Sequence, residues 1–250
     1  MDPLYPLDRQ HLDLWILPSE DPQLSERMPQ LVEMLSRRER LRCEKIVFER
    51  IRSQYVLTRA LVRRSLSLYA NVSPETWRFN EDKYGRPYIE APKSDASLDF
   101  NISHSAGMIV CLIGRERRFG VDVEVIGGRC RMLDIAERFF SRCEAAELKA
   151  LQPPLQAERF CDYWTLKEAY IKARGRGLSI PLHQFSFRID AQNEVKISFD
   201  PALKDDPECW SFYRRRVSER YKLAVALRHD ALGDTPPKIV VRDALPLLLS

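Results

Sequence analysis

Two short acid-bearing segments of opposite periodicity limit most severely what this chain can fold into. In Gly120-Val-Asp122-Val-Glu124 carboxylates alternate with valines. A period of two belongs to a β-strand and turns Asp122 and Glu124 to one face, Val121, Val123 and Val125 to the other. In Trp164-Thr-Leu-Lys167-Glu168-Ala-Tyr-Ile-Lys172 the pattern is helical, and Glu168 and Lys172, four apart, share one stripe. A chain that holds both must combine strands with helices.

The remaining pattern extends this mixture. Leu12–Leu17 reads as a first strand, and apolar positions recur near helical spacing from about 31 to 69, where Pro74 follows as a stop. Residues 77–79 and 87–89 read as short strands around a turn at Gly85. Strands at 108–113 and 119–125, joined by the charged turn 114–118, read as a hairpin. Helices are expected at 132–139, 141–150 and 155–174, with Ser141 as an N-cap because Glu144 stands three residues later and Pro153-Pro154 as the break before the last. Strands at 185–189, 194–199, 209–216 and 221–226 complete an α+β pattern with antiparallel strands, and no Gly-rich phosphate loop is present.

Three acids beside lysines suit magnesium facing a phosphate better than zinc, because magnesium takes few protein carboxylates and fills its shell with water and substrate oxygens. The four histidines, at 11, 104, 183 and 229, show no metal-ligand spacing. Taken singly, each acidic segment is also an ordinary solvated strand face or surface helix pair. Upstream, Phe100-Asn-Ile-Ser103-His104-Ser105 reads as a short polar loop opening onto a strand; its hydroxyl, imidazole and backbone donors can hold phosphate oxygens. A histidine in a turn is equally often a satisfied structural residue.

In order along the chain, Lys83-Tyr-Gly85-Arg86-Pro87, Asn101-Ile-Ser103-His104-Ser105, Gly120-Val-Asp122-Val-Glu124, Arg138-Phe-Phe140-Ser141 and Trp164-Thr-Leu-Lys167-Glu168-Ala-Tyr-Ile-Lys172, followed by Gly175-Arg-Gly177-Leu-Ser179, resemble the Sfp-type 4′-phosphopantetheinyl transferases. The resemblance covers roughly residues 10 to 228, and several linked motifs are far more specific than any one. It implies transfer of the phosphopantetheine arm of coenzyme A to a serine of apo acyl or peptidyl carrier proteins, dependent on Mg2+, with release of adenosine 3′,5′-bisphosphate. The alternative kept beside it is a coenzyme A-binding module without transferase activity.

Carried over by position, the resemblance assigns Asp122, Glu124 and Glu168 to the metal and Glu168, Lys172 and Asp122 to catalysis. Glu168 keeps two roles open, base for the serine hydroxyl or ligand of a metal-bound water. Some relatives lack an acid at the position of Glu124. The resemblance places Arg42, Arg86, Ser103, His104, Lys167 and Lys172 against coenzyme A, with Arg38, Arg40 and Arg42 interchangeable in a loose alignment. Arg86 stands where relatives commonly carry lysine; it keeps the charge and adds a planar fork. Arg129, Arg131 and Met132 are candidates for the carrier-protein border, and equally for ordinary surface.

The implied architecture is two similar α+β lobes related by pseudo-twofold symmetry, with the active site in the cleft between them; the sequence shows no repeat of its own. The expected division is 1–115, 116–230 and a C-terminal tail 231–250 that packs across the body or stays exposed. At 250 residues, 44% hydrophobic and 30% charged, the chain is globular, with no leader-like N-terminus and no apolar run of bilayer length. Six cysteines without CxxC spacing point to reduced thiols and a cytoplasmic enzyme. The net charge of +4 is spread over separate arginine runs, which points to an anionic small molecule and an acidic partner rather than nucleic acid. A monomer without membrane contact is the expectation.

Overall fold

The structure is a computed structural model that describes the chain apart from residues 1–4, 6, 9, 93–96, 116–117, 128–130, 176 and 230–234. Its elements are β1 (His11–Pro18), α1 (Gln23–Glu33), α2 (Arg37–Glu44), α3 (Glu49–Ser67), β2 (Arg78–Glu81), β3 (Pro87–Ala91), β4 (Leu98–Ser105), β5 (Met108–Arg115), β6 (Phe119–Val125), α4 (Met132–Phe139), α5 (Arg142–Ala150), α6 (Pro153–Arg174), β7 (Phe185–Ile189), β8 (Val195–Phe199), β9 (Trp210–Ser218), β10 (Tyr221–Arg228), β11 (Lys238–Asp243) and α7 (Leu245–Leu249). The fold is α+β and divides into two compact units, Met1–Arg117 with Pro237–Ser250, and Arg118–Pro236. None of the described helices is long and apolar enough to cross a membrane.

In the first unit β11, β1, β5 and β4 form one sheet in that order. Strand β5 is an apolar run buried almost throughout, as its central position requires, and pairs antiparallel with both neighbours. Helix α3 supplies Leu57, Ala60 and Leu61 to a core shared with Trp15, Phe100, Ile109 and Ile113. Each such large side chain contributes about 1.5–3 kcal/mol on leaving water. The helical run expected over 31–69 is three helices. Ser36 accepts from the Glu39 amide, and Glu39 accepts from the Ser36 amide, a reciprocal cap that starts α2 in the middle of that run.

Two further expectations are corrected here. The polar segment 100–105 is no loop: it lies within β4, whose register puts Ser103 opposite Val110 and His104 opposite Ile109. Ala106 and Gly107 close the β4–β5 turn, with Gly107 at φ 83° where a β-carbon is disfavoured. Strands β5 and β6 form no hairpin; β5 pairs with β1 and β4, and β6 pairs with β10. The intervening residues 116–117 lie outside the described residues.

The C-terminal segment becomes β11, parallel to β1 in the register His11 to Lys238 through Ile16 to Asp243. Ala244 and Leu248 then enter the core of the first unit. Arg242 pairs with Asp13 at 2.7 Å and lies over the rings of Tyr5 and Trp15. The start of this tail, residues 231–234, lies outside the described residues.

The second unit holds a three-stranded antiparallel sheet, β6-β10-β9, with α6 lying across β6 and β10, and a separate antiparallel pair, β7-β8. Its core is aromatic, with Phe140, Phe160, Tyr163, Tyr170, Phe185 and Phe187 around the helix. The Ser141–Glu144 cap of α5 is present, and Pro153 opens α6 where its missing N–H leaves no helical bond unmade.

Candidate active site

The site in the second unit is built by a close approach of backbone to backbone. Gly120 lies on the β6 face beneath α6, and a β-carbon there would stand 2.2 Å from the Ala169 carbonyl oxygen and 2.5 Å from the Ala173 amide nitrogen. Only glycine fits. Opposite Gly120 and Asp122 on β10 stand Ala226 and Ala224, so the floor under the helix consists of small side chains with one carboxylate among them. Asp122 is buried, and Lys172 donates to its Oδ1 at 2.8 Å and to the Val121 carbonyl at 3.0 Å.

Glu124, two residues along the same face, is half-buried, as is Glu168, one helical turn before Lys172. Cys161, farther up α6, lies 3.6 Å from the Glu124 carbonyl oxygen. Burial first, then the negative charges of Asp162, Glu124 and Asp122, push its thiol up to about 12. Strand and helix thus bring the Lys172 ammonium onto the Asp122 carboxylate, 50 residues away in sequence.

Among the described residues no three His, Cys, Asp or Glu side chains form a ready-made metal cluster. The donor set nevertheless fits magnesium. Its groups are hard oxygens on two touching elements, and this ion characteristically uses one or two carboxylates and leaves the rest of its octahedron to water and phosphate.

Lys167 departs from its expected place against coenzyme A. It is fully buried, and its ammonium donates to the carbonyls of Leu182 and Phe185 at 2.8 and 2.7 Å and pairs with Glu144 Oε2 at 2.8 Å. An ammonium has three donors, so none is left for a phosphate. Burial lowers its affinity for the proton, and the Glu144 charge works against that shift.

In the first unit, Arg42 is exposed on α2 and lines a pocket with Arg38, Tyr55, Arg59 and Glu81. The guanidinium carbons of Arg42 and Arg59 lie 5.7 and 5.3 Å from the centre of the Tyr55 ring. Glu39 at its edge is paired with Arg59 and Arg63; burial would raise its carboxyl, but the Arg63 charge and the Ser36 donors hold it below the usual range. The pocket therefore keeps a positive balance. Sequence reading missed Arg59 and Tyr55, which stand four apart on one α3 stripe among many arginines and carry no other signal.

Arg86 sits past the Gly85 turn and pairs with the buried Asp99 at 3.1 Å. Ser103 is buried on the β4 face that carries Asp99, whereas His104 is exposed and projects from the opposite face. Arg131 is exposed and Met132 half-buried at the start of α4, while Arg129 lies outside the described residues.

Comparison with known proteins agrees across both units. Residues 118–226 match the 4′-phosphopantetheinyl transferase superfamily, and residues 21–117 match the 4′-phosphopantetheinyl transferase N-terminal family. A 4′-phosphopantetheinyl transferase of Bacillus subtilis is 32% identical over 204 residues, covering 82% of this chain and 87% of that protein. The transferase Sfp of Bacillus subtilis strain 168 is 30% identical over 209 residues, covering 83% and 88%. Among solved structures, a holo-(acyl-carrier-protein) synthase of Bacillus anthracis in complex with CoA (3′,5′-ADP) aligns with 46% of this chain and 97% of its own, at 21% identity and a TM-score of 0.39. With nearly nine-tenths of two curated relatives spanned at these identities, and with both units matched, the chain belongs to the 4′-phosphopantetheinyl transferase superfamily.

Proposed function

We propose that this protein transfers the 4′-phosphopantetheine arm of coenzyme A to a serine hydroxyl of apo carrier proteins of the acyl or peptidyl type. The observation that carries the reading is the Asp122–Lys172 contact under α6, an ammonium on a carboxylate where only Gly120 lets helix meet strand, with Glu124 two residues along the strand face and Glu168 one helical turn before Lys172. The relatives at about 30% identity bear the name of this activity.

Asp122, Glu124 and Glu168 would hold Mg2+, which when bound supplies positive charge to the pyrophosphate oxygens. Lys172 adds charge on the same side of the reaction. The serine oxygen bonds to the pantetheine-side phosphorus, the bond to the bridging pyrophosphate oxygen breaks, and adenosine 3′,5′-bisphosphate leaves with that electron pair. Glu168 accepts the serine proton. Arg42, Arg59 and Tyr55 suit a nucleotide phosphate, since guanidinium binds phosphate through paired donors. Arg86, Ser103 and His104 remain proposed contacts to coenzyme A, and Arg131 and Met132 proposed contacts to the carrier. The protein would act as a monomer in the cytoplasm.

Intact-mass spectrometry of apo carrier proteins incubated with this protein, coenzyme A and Mg2+ tests the reading. A mass gain of one phosphopantetheine that disappears on chelation is expected. Coenzyme A binding without a gain on any carrier would replace the reading with a binding module.

A further inference from the structure

We propose that the buried Lys167–Glu144 pair sets the rotation of α6 about its own axis and thereby directs Glu168 and Lys172 toward β6; this rests on the transferase reading above. Lys167 and Glu168 are consecutive, about 100° apart around the helix. Fixing one therefore fixes the other. Gly120 determines how near α6 comes to the strand and Lys172 bonds it to Asp122 and Val121, but these contacts hold the helix from β6 alone.

Lys167 supplies what those contacts lack. Its ammonium meets two carbonyls from the chain entering β7 and one carboxylate from α5, so three segments converge on a single charged group. Glu144 is itself held, accepting from the Ser141 amide at 3.0 Å and hydroxyl at 2.6 Å and from the Phe187 amide at 2.9 Å. The rings of Phe185 and Phe140, with centres 4.4 and 5.3 Å from the ammonium, wall in the stem. Hydrogen bonds of this kind are directional, whereas an apolar side chain in the same pocket tolerates sliding. A rotation of about 20° moves a carboxylate about 6 Å from the helix axis by about 2 Å. Misplacement of about 1 Å is enough to cost about 100-fold in rate.

Lys167→Met keeps the stem and removes the ammonium, and leaves Glu144 three of its donors. The test compares it with wild type and with Tyr163→Phe, which loses the bond from Tyr163 on α6 to Glu147 on α5 without removing either member of the pair. Expected are a folded Lys167→Met protein with kcat about 100-fold down and KM for coenzyme A unchanged, and near-normal kcat for Tyr163→Phe despite a lower melting temperature. A Lys167→Met enzyme whose kcat stays within about threefold of wild type while its melting temperature falls would leave the pair a purely structural role. Should Lys167→Met not fold, Glu144→Gln decides, with kcat down at least about tenfold at constant KM expected and an unchanged kcat overturning the proposal. A crystal structure of the folded variant reads the rotation without activity: α6 turned relative to wild type supports the proposal and an unturned helix refutes it. Inactive wild-type protein would instead count against the transferase reading.

Discussion

Gly120 and Ala169 meet where no side chain can intervene, since a β-carbon on the glycine would lie 2.2 Å from the alanine carbonyl oxygen. Backbone cannot yield as a flexible side chain can, so Gly120→Ala must push α6 off the sheet. Overpacking of this kind costs about 1–3 kcal/mol, and this site should reach the upper end. Urea denaturation followed by circular dichroism measures it. Transfer activity should fall further than stability alone accounts for, because Lys172 rides on the displaced helix.

Lys172→Met separates chemistry from folding. Its side chain is 26% exposed against 7% for Asp122, so removal takes the cation from a buried carboxylate and should cost about 1–3 kcal/mol of stability. With Lys172 in its proposed role beside the reacting phosphate, loss of its charge should lower kcat by about 100- to 1000-fold. Equal losses in stability and activity would instead mark Lys172 as a support for Asp122.

Arg42→Ala and Arg59→Ala should raise KM for coenzyme A by about tenfold each and leave kcat nearly unchanged, since a charge-assisted bond contributes about 1.5–3 kcal/mol and these sites are partly open to solvent. Steady-state kinetics with coenzyme A and with its 3′-dephospho form checks this. A smaller effect with the dephospho form would identify the group that the pocket holds.

Burial raises the thiols of Cys111 and Cys161 from 9.0 to about 12. An unfolded thiol loses its proton near pH 9 while the folded one retains it, so the unfolded state binds fewer protons in that window. Stability is therefore unaffected below about pH 9 and declines from there toward pH 12, by up to about 1.4 kcal/mol per pH unit for each thiol. Urea midpoints from pH 8 to 10.5 should show the decline. In the Cys111→Ala/Cys161→Ala double variant the slope should be shallower.

Removal of residues 237–250 should do more harm than the loss of a tail. It uncovers the edge of β1, removes Ala244 and Leu248 from the core and leaves Asp13 without Arg242. Exposed strand edges template aggregation. The shortened protein should melt earlier and scatter light on heating. Arg242→Met should reproduce part of the lower melting temperature without the scattering.

What the sequence made legible was whatever has a short period or a short span. The alternation in 119–125 marked β6, and the 164–172 stripe with the Ser141–Glu144 cap marked α5 and α6 nearly to the residue. Pairing across long separations left no local trace, so β11 beside β1 was invisible although Ile239 to Val241 have strong strand character. Polar residues dominate around Ser103 and His104 and suggest a loop; β4 carries Ser103 because its buried face takes polar groups in partnership, as Arg86 with Asp99 illustrates, and His104 on its exposed face. Lys167 misled for a related reason. A lysine next to an acid on a helix looks solvated until its partner, 23 residues earlier at Glu144, is brought to it by the fold.

The return of β11 to β1 also fixes an order of events during synthesis. Residues 118–236 are made after most of the first unit and before its last strand. At roughly 5–20 residues per second, those 119 residues (236 − 117) take about 6–24 s to emerge. Throughout that interval β1 has only β5 beside it, so the nascent chain carries an open strand edge that is closed only when translation reaches Lys238.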